Sequence, residues 1–204
     1  MNLVIGSGDI VHLLMGKQTK GYQELIRKFV AEDKPYYNAI ASPIDALRTG
    51  AILEERYAII IPDDYYCQYK CKYDEMDVFV SSIDFARINN GNIVDFDELK
   101  TMFLIDYLEI IEPIKNADKS VYLPIIKKSF GKYYNQVQCQ LMCSGLDEAN
   151  LVFLSVESYK DEENYNRNIL ESDYAKFRIY RDEKVISEIK NRGQIFQDIK
   201  NHLK

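Results

Sequence analysis

Asp84, Glu98 and Lys100 fall within SSIDFARINNGNIVDFDELK, Ser81 to Lys100, a stretch of otherwise apolar-rich strand and turn residues. Two carboxylates and an ammonium on one hairpin are costly inside a fold unless something pairs or ligates them. Acids that face each other across two strands have Cβ atoms about 4.5 to 5.5 Å apart, and one of them tends to take up a proton at neutral pH. A divalent cation removes that cost. Hard oxygen ligands in a partly open site suit Mg2+ or Mn2+, which keep several waters for a substrate and a nucleophile to replace. Lys100, two residues beyond Glu98, is then placed to position or deprotonate a water and to offset charge building on a phosphate. Phosphodiester hydrolysis needs these parts. The competing reading is a salt-bridged strand end, because an acid followed at a distance by Glu-x-Lys is a short pattern that arises often by chance.

Whether the acids meet depends on the turn. With a two-residue Asn90-Gly91 loop, Asp84 opposes Asp97 and Glu98 points to the other side. With a three-residue Asn90-Gly91-Asn92 loop, whose Gly and Asn supply the left-handed position, Asp84 lies across from Glu98 with Lys100 on the same face. That second register also sets Arg87 opposite Asp95 as a cross-strand charge pair.

The rest of the chain must supply the scaffold. Its 204 residues, 47% hydrophobic and 28% charged, are enough for one substantial core, and a single domain over 1–204 is expected. A net charge of -6 excludes a general polyanion-binding surface, so any contact with nucleic acid is local. The opening MNLVIGSGDIVHLLMGKQTK lacks the pattern of a signal peptide, and no apolar run reaches the length of a membrane span, so a cytoplasmic place and no membrane partner are expected. Four cysteines form two C-x3-C pairs, Cys67 with Cys71 and Cys139 with Cys143; a zinc or iron-sulfur site is conceivable, but buried or partly buried thiols fit that spacing better.

Helical spacing marks Gly16 to Val30, a stretch from Ile44 closed by Pro62, a helix over YYNQVQCQLMCSG ending at Gly145, and a final amphipathic helix from Lys184. Residues 31–43 read as a loop. Strands are expected at Tyr65 to Tyr73, Met76 to Ile88, Asn92 to Met102, in ANLVFLSVES and in AKFRIYRD. Between them FLIDYLEIIEPIKN reads as a helix ended by Pro113, and SVYLPIIKKSFGK as a second short helix starting at Pro124. The order suggests an α/β fold, a mixed central sheet flanked by helices on both faces. The GSG at the start is no phosphate loop, because the Lys-Ser/Thr that gives such a loop its meaning is missing. His12 and His202 have no metal spacing and read as structural and exposed residues.

With these residues in place, Asp84 followed by Glu98-Leu99-Lys100 resembles the core of the PD-(D/E)xK nuclease superfamily, which has a restriction-endonuclease-like core. Two flanking segments resemble its phage lambda exonuclease type. GAILEERY has the form G-x3-E on a helix, and YYNQVQCQLMCSG is similar to that type's Tyr-x-x-Gln-x-Gln helix. The opening VIGSGDIVHLLMG resembles the Ile-Gly-Gly-Ser-Asp-Ile start of viral recombination exonucleases. There are departures: Ser7-Gly8-Asp9 separates the serine from the aspartate, Phe85-Ala86 replaces a glycine, and Ile83 replaces a proline. The stretch from Met102 to Lys132 is also longer than the simplest pattern, which suggests an inserted helix.

The resemblance implies a Mg2+-dependent deoxyribonuclease, with Mn2+ able to substitute, acting 5′ to 3′ on double-stranded DNA ends. By it, Glu54, Asp84, Glu98 and the Leu99 carbonyl bind the metal, with Glu55 as the rival of Glu54. Lys100 aligns the attacking water, and Gln136 holds Lys100 or that water. It further implies a homo-oligomer, a trimeric ring, working with a single-strand annealing recombination protein in the host cell cytoplasm if viral. The alternatives are an endonuclease of the same superfamily and a non-catalytic DNA-end or protein-binding module on the nuclease fold.

Overall fold

The computed structural model describes residues 3–30, 45–159 and 168–203; the loop expected over 31–43 and the helix start at Ile44 lie outside them. Among the described residues six strands form one mixed sheet: β1 (Ile5–Gly6), β2 (Tyr65–Lys72), β3 (Phe79–Asn89), β4 (Asn92–Phe103), β5 (Glu148–Val156) and β6 (Tyr174–Tyr180). The path is β1-β3-β4-β5-β6, with β2 paired to β3. β1 with β3 and β4 with β5 run parallel; β2 with β3, β3 with β4 and β5 with β6 run antiparallel.

Helices cover both faces. α1 (Ile10–Leu13) and α2 (Lys20–Val30) follow β1, and α3 (Asp45–Tyr57) precedes β2. After β4 the chain turns through α4 (Leu104–Asp106), a π-helical turn Tyr107–Ile111 and a 3-10 turn Glu112–Ile114, then enters α5 (Lys119–Ser129) and α6 (Gly131–Ser144). α7 (Glu183–Leu203) closes the chain's described part. Pro113 does not end the helical path, because it sits in the first turn of the 3-10 segment, where no donor is needed. Nor does Pro124 start α5: the helix begins at Lys119, and the Ser120 carbonyl that Pro124 leaves unbonded is on an exposed residue where water can reach it. The mixed sheet between helices is the architecture expected from the sequence.

Each helix reaches the sheet through one apolar stripe. α3 buries Thr49, Leu53 and Tyr57, spaced four apart, against Phe85, Leu99, Val152 and Leu154. α6 is buried continuously from Val137 to Cys143, with Val137 and Leu141 packed on Phe96, Leu151 and Phe153 from the other face. It stops at Gly145, which takes the left-handed φ of 74°. α1, α2 and α7 close a third cluster around Ile5, Phe29, Phe79 and Phe196.

One edge of β3 has a gap. β1 pairs with β3 at Phe79 and Val80, and β4 pairs with it from Phe85 onward. Val80 also pairs with Lys72 and Phe85 with Cys67, so β2 holds the opposite edge and β1 and β4 share this one. Among the described residues no strand pairs with that edge over Ser81 to Asp84.

Candidate active site

The hairpin takes the two-residue loop and reaches the register of the three-residue one through a bulge. Asn90 (φ 51°) and Gly91 (φ 79°) form a two-residue turn, with Asn89 opposite Asn92 and Ile88 opposite Ile93. A bulge between Arg87 and Ile88 then shifts the pairing by one, so that Arg87 opposes Asp95 and Phe85 opposes Asp97. The next step of that ladder is Asp84 with Glu98, and there the strands part. The expected Arg87–Asp95 pair is in register, yet Asp95 Oδ1 accepts from Arg178 Nη1 at 2.7 Å.

Side chains fill the gap that the parting opens. The backbone N–H of Leu99 would point at a neighbouring strand; it donates to Asp84 Oδ2 at 2.9 Å instead. The N–H and C=O of one extended residue face the same side, so the Leu99 carbonyl is turned toward the gap as well. On the other strand, the Ser82 carbonyl accepts from Gln140 Nε2 at 3.1 Å. A break in a ladder leaves polar groups that must be satisfied, and here acids and amides satisfy them.

Around this opening the predicted residues converge. Glu98 is fully buried; its Oε1 accepts from Lys100 Nζ and from Gln136 Nε2, each at 2.5 Å, and its Oε2 from Gln140 Nε2 at 2.5 Å. Lys100 Nζ lies 3.9 Å from Asp84 Oδ2 and 5.7 Å from the centre of the Tyr133 ring. From α3, Glu54 reaches the group through Gln68, whose Nε2 donates to Glu54 Oε2 at 3.0 Å and to Asp84 Oδ1 at 3.4 Å. Its rival Glu55 is exposed, two residues past the buried Leu53 and so on the far side of the helix. Gln138 turns elsewhere, donating to the Tyr180 carbonyl and accepting from the Asp182 N–H.

Burial raises the pKa of Asp84 well above the usual carboxylate range, and the charge of Glu98 raises it further against the pull of Lys100. Glu54 is raised too, by burial first, with Lys100 opposing and Glu98 adding. For Lys100, burial works against the ammonium, but Glu98 and Asp84 outweigh it and hold its pKa above the lysine range. The two carboxylates favour the ammonium form of Lys100, which suits a positioning role.

Three acids and a backbone carbonyl against one ammonium make a donor set suited to a hard divalent cation, which would replace the proton that burial favours on Asp84. Among the described residues no group of three or more His, Cys, Asp or Glu side chains is placed to hold a metal ion, so the acids form no protein cage. Mg2+ needs no such cage, since it is commonly bound through one or two carboxylates together with waters and substrate phosphates. The cysteines do not join this group. Cys139 and Cys143 are buried, Cys71 is half-buried and Cys67 exposed, all as free thiols, and burial pushes the Cys71 thiol up to about 12.

Gln68 and Gln140 also belong to the cluster; the sequence sets Gln140 on one helix face with Gln136 but does not single out Gln68. The i,i+4 spacing of Gln140 from Gln136 is visible in the sequence. For Gln68 the sequence carries no such signal, because its position depends on a left-handed backbone, φ 52°, in the middle of β2.

No protein-family profile matches the chain, and a search of curated proteins finds no significant relative. Solved structures do resemble it. A phage-related exonuclease from Haemophilus somnus 129PT superposes with a TM-score of 0.62 at 13% identity, over 99% of this chain and 97% of that one. An alkaline exonuclease from Laribacter hongkongensis, LHK-Exo, superposes with a TM-score of 0.60 at 17% identity, over 95% and 85%. The same enzyme in complex with dAMP gives 0.60 at 18%, over 96% and 87%. These likenesses show that the chain shares the fold of these alkaline and phage-related exonucleases.

Proposed function

We propose that this chain is a divalent-metal-dependent deoxyribonuclease that hydrolyses phosphodiester bonds at double-stranded DNA ends, working 5′ to 3′. One observation carries the reading: Asp84, Glu98, Lys100 and Gln136, with Glu54 behind Gln68, converge on a gap in the sheet that has no structural need for three acids. The exonuclease fold of the solved neighbours supports it.

On this reading Glu54, Asp84, Glu98 and the Leu99 carbonyl would hold Mg2+, or Mn2+ in its place. Such an ion, when bound, supplies Lewis-acid polarisation of the scissile phosphate and neutralises its charge. Lys100, held as an ammonium by Glu98 and Asp84, orients the attacking water and offsets charge on the phosphate. Gln136 shares Glu98 Oε1 with Lys100, so its amide fixes where the ammonium stands. Tyr133 and the exposed Lys132, 4.4 Å from its ring, extend the site outward along α6 as a surface for a strand end. The working form is a homo-oligomer, a trimer, and the partner a single-strand annealing recombination protein, both carried over from the sequence resemblance.

Linear duplex labelled at the 5′ or the 3′ end, incubated with Mg2+ or with chelator, tests the reading. Wild type releases the 5′ label first as mononucleotide only with Mg2+, leaves covalently closed circles intact, and loses activity as Asp84→Ala or Lys100→Ala. Cutting of closed circles makes it an endonuclease. Duplex bound without loss of either label makes it a non-catalytic module.

A further inference from the structure

Three acids around one opening repel one another, and something must hold them. Two glutamines from different elements do so through a common anchor. Ser82 Oγ donates to Gln68 Oε1 at 2.9 Å, and the Ser82 carbonyl accepts from Gln140 Nε2 at 3.1 Å. The amide nitrogens reach the carboxylates: Gln68 Nε2 donates to Glu54 and Asp84, and Gln140 Nε2, besides holding the Ser82 carbonyl, donates to Glu98. The network also fixes the amide orientations, since either flip would set a carbonyl oxygen against an acid.

The backbone is bent to make this possible. Gln68 takes a left-handed φ of 52° inside a strand, a conformation that costs any residue with a Cβ. The β2–β3 ladder runs from Cys67 with Phe85 to Tyr69 with Ile83 and skips Gln68 and Asp84. Local strain of this kind persists where its surroundings over-determine it. A carboxamide also suits the task chemically. It donates to acids without bringing a positive charge that would compete with a cation, as Lys or Arg in its place would.

We infer that Gln68 and Gln140, tied together through Ser82, are positioning residues that set the spacing of Glu54, Asp84 and Glu98 for a divalent cation. The inference rests on the nuclease reading above. Neither glutamine touches the reacting atoms; both act through the acids.

The test is calorimetric titration of Mn2+ into the full chain without DNA, with thermal melting and duplex cleavage alongside, for wild type, Gln68→Gly, Ser82→Ala and Gln140→Met. Removing a residue that orients metal ligands weakens metal affinity by roughly 10- to 100-fold, and that loss is expected for Gln68→Gly and Gln140→Met. In cleavage, these variants need more Mn2+ and have a lower kcat, while KM for duplex stays unchanged. Gln68→Gly is the sharpest variant, because glycine relieves the left-handed backbone: melting temperature holds or rises while Mn2+ affinity falls. Ser82→Ala removes the hydroxyl that orients Gln68 and leaves the carbonyl that Gln140 holds, so a smaller loss of affinity is expected, which keeps the Gln68 arm testable if Gln140→Met does not fold. Mn2+ affinity within twofold of wild type in Gln68→Gly and Ser82→Ala, with wild type binding Mn2+ and cutting duplex, overturns the inference and leaves the nuclease reading standing. A wild type that neither binds Mn2+ nor cuts duplex removes both.

Discussion

Strand β4 carries two fully buried acids side by side, Asp97 and Glu98, and their surroundings differ in kind. Asp97 faces α3. It accepts from the Tyr57 hydroxyl at 3.0 Å, the Asn150 amide at 2.7 Å and Lys176 Nζ at 2.7 Å, and Arg178 ties the group to Asp95 and Glu148. Glu98 faces α6, and although its own oxygens are bonded, it stands beside two further acids with one ammonium among the three. Burial and neighbouring charge leave Asp84 and Glu54 favouring protons. A buried acid whose neighbours neutralise it needs no ligand. One whose neighbours are acids costs stability unless a cation joins it. On the proposed reading, the difference separates structural from functional charge within two consecutive residues.

Substitutions on the two faces should therefore fail in opposite ways. On the Glu98 face, Lys100→Ala and Asp84→Asn are expected to lower kcat for duplex cleavage by at least about 10²–10³, the range for removing one preorganised group, with the fold intact by circular dichroism. On the Asp97 face, Asp97→Ala leaves a buried hydroxyl and amide without an acceptor, at about 3 kcal/mol in urea unfolding. Lys176 adds little to that figure, because its side chain is 38% exposed and its charge is screened. Tyr57→Phe loses the hydroxyl alone and should cost about 1.5 kcal/mol. Both Asp97-face variants are expected to cut DNA within about threefold of wild type at temperatures where they are folded, since neither residue touches the gap; ΔΔG‡ for that factor is under 1 kcal/mol. A loss of activity without loss of stability at Asp97 would erase the distinction.

Acid titration sharpens it. An acid with a higher pKa folded than unfolded leaves the folded chain holding more protons. Its contribution to stability therefore falls as pH rises from the ordinary value of 3.8 toward the raised folded value. Asp84→Asn removes that loss. Without cation it is expected to melt above wild type at pH 7, the gap closing below about pH 4, where Asp84 is protonated in both folded and unfolded wild-type chains. Added Mn2+ should raise the wild-type melting temperature by mass action and leave Asp84→Asn unmoved. The smallest effect belongs to Glu55→Gln. Exposed and on the far side of α3 from the inward stripe, it should change stability by no more than about 0.5 kcal/mol and activity not at all.

Much of this was legible in the sequence because it rests on local chemistry. Alternation, helical spacing and Gly145 locate the strands around the site and α6, and the residues Asp84, Glu98, Lys100, Glu54 and Gln136 come together as their types suggested. What was hidden depends on geometry that no residue type announces. A bulge does not show in the pattern, since Val94 looks like any strand residue; yet it turns a two-residue loop into the register expected of three. The gap in the β3 edge follows from where β1 stops, and β1 is only two residues long. Gln68 acquires its place from a left-handed backbone that glycine or asparagine would have signalled and glutamine does not. The Asp97 cluster draws partners from Tyr57, Asn150 and Lys176, on three elements far apart in the chain.

The central claim is that the acids at the β3–β4 gap, and not their neighbour across the strand, hold a divalent cation. Electron paramagnetic resonance of Mn2+ added to the DNA-free chain counts bound ions directly. The account predicts bound Mn2+ in wild type and in Asp97→Asn, and its loss in Asp84→Asn and Glu98→Gln. Equal binding by all four proteins, or loss in Asp97→Asn alone, would contradict it.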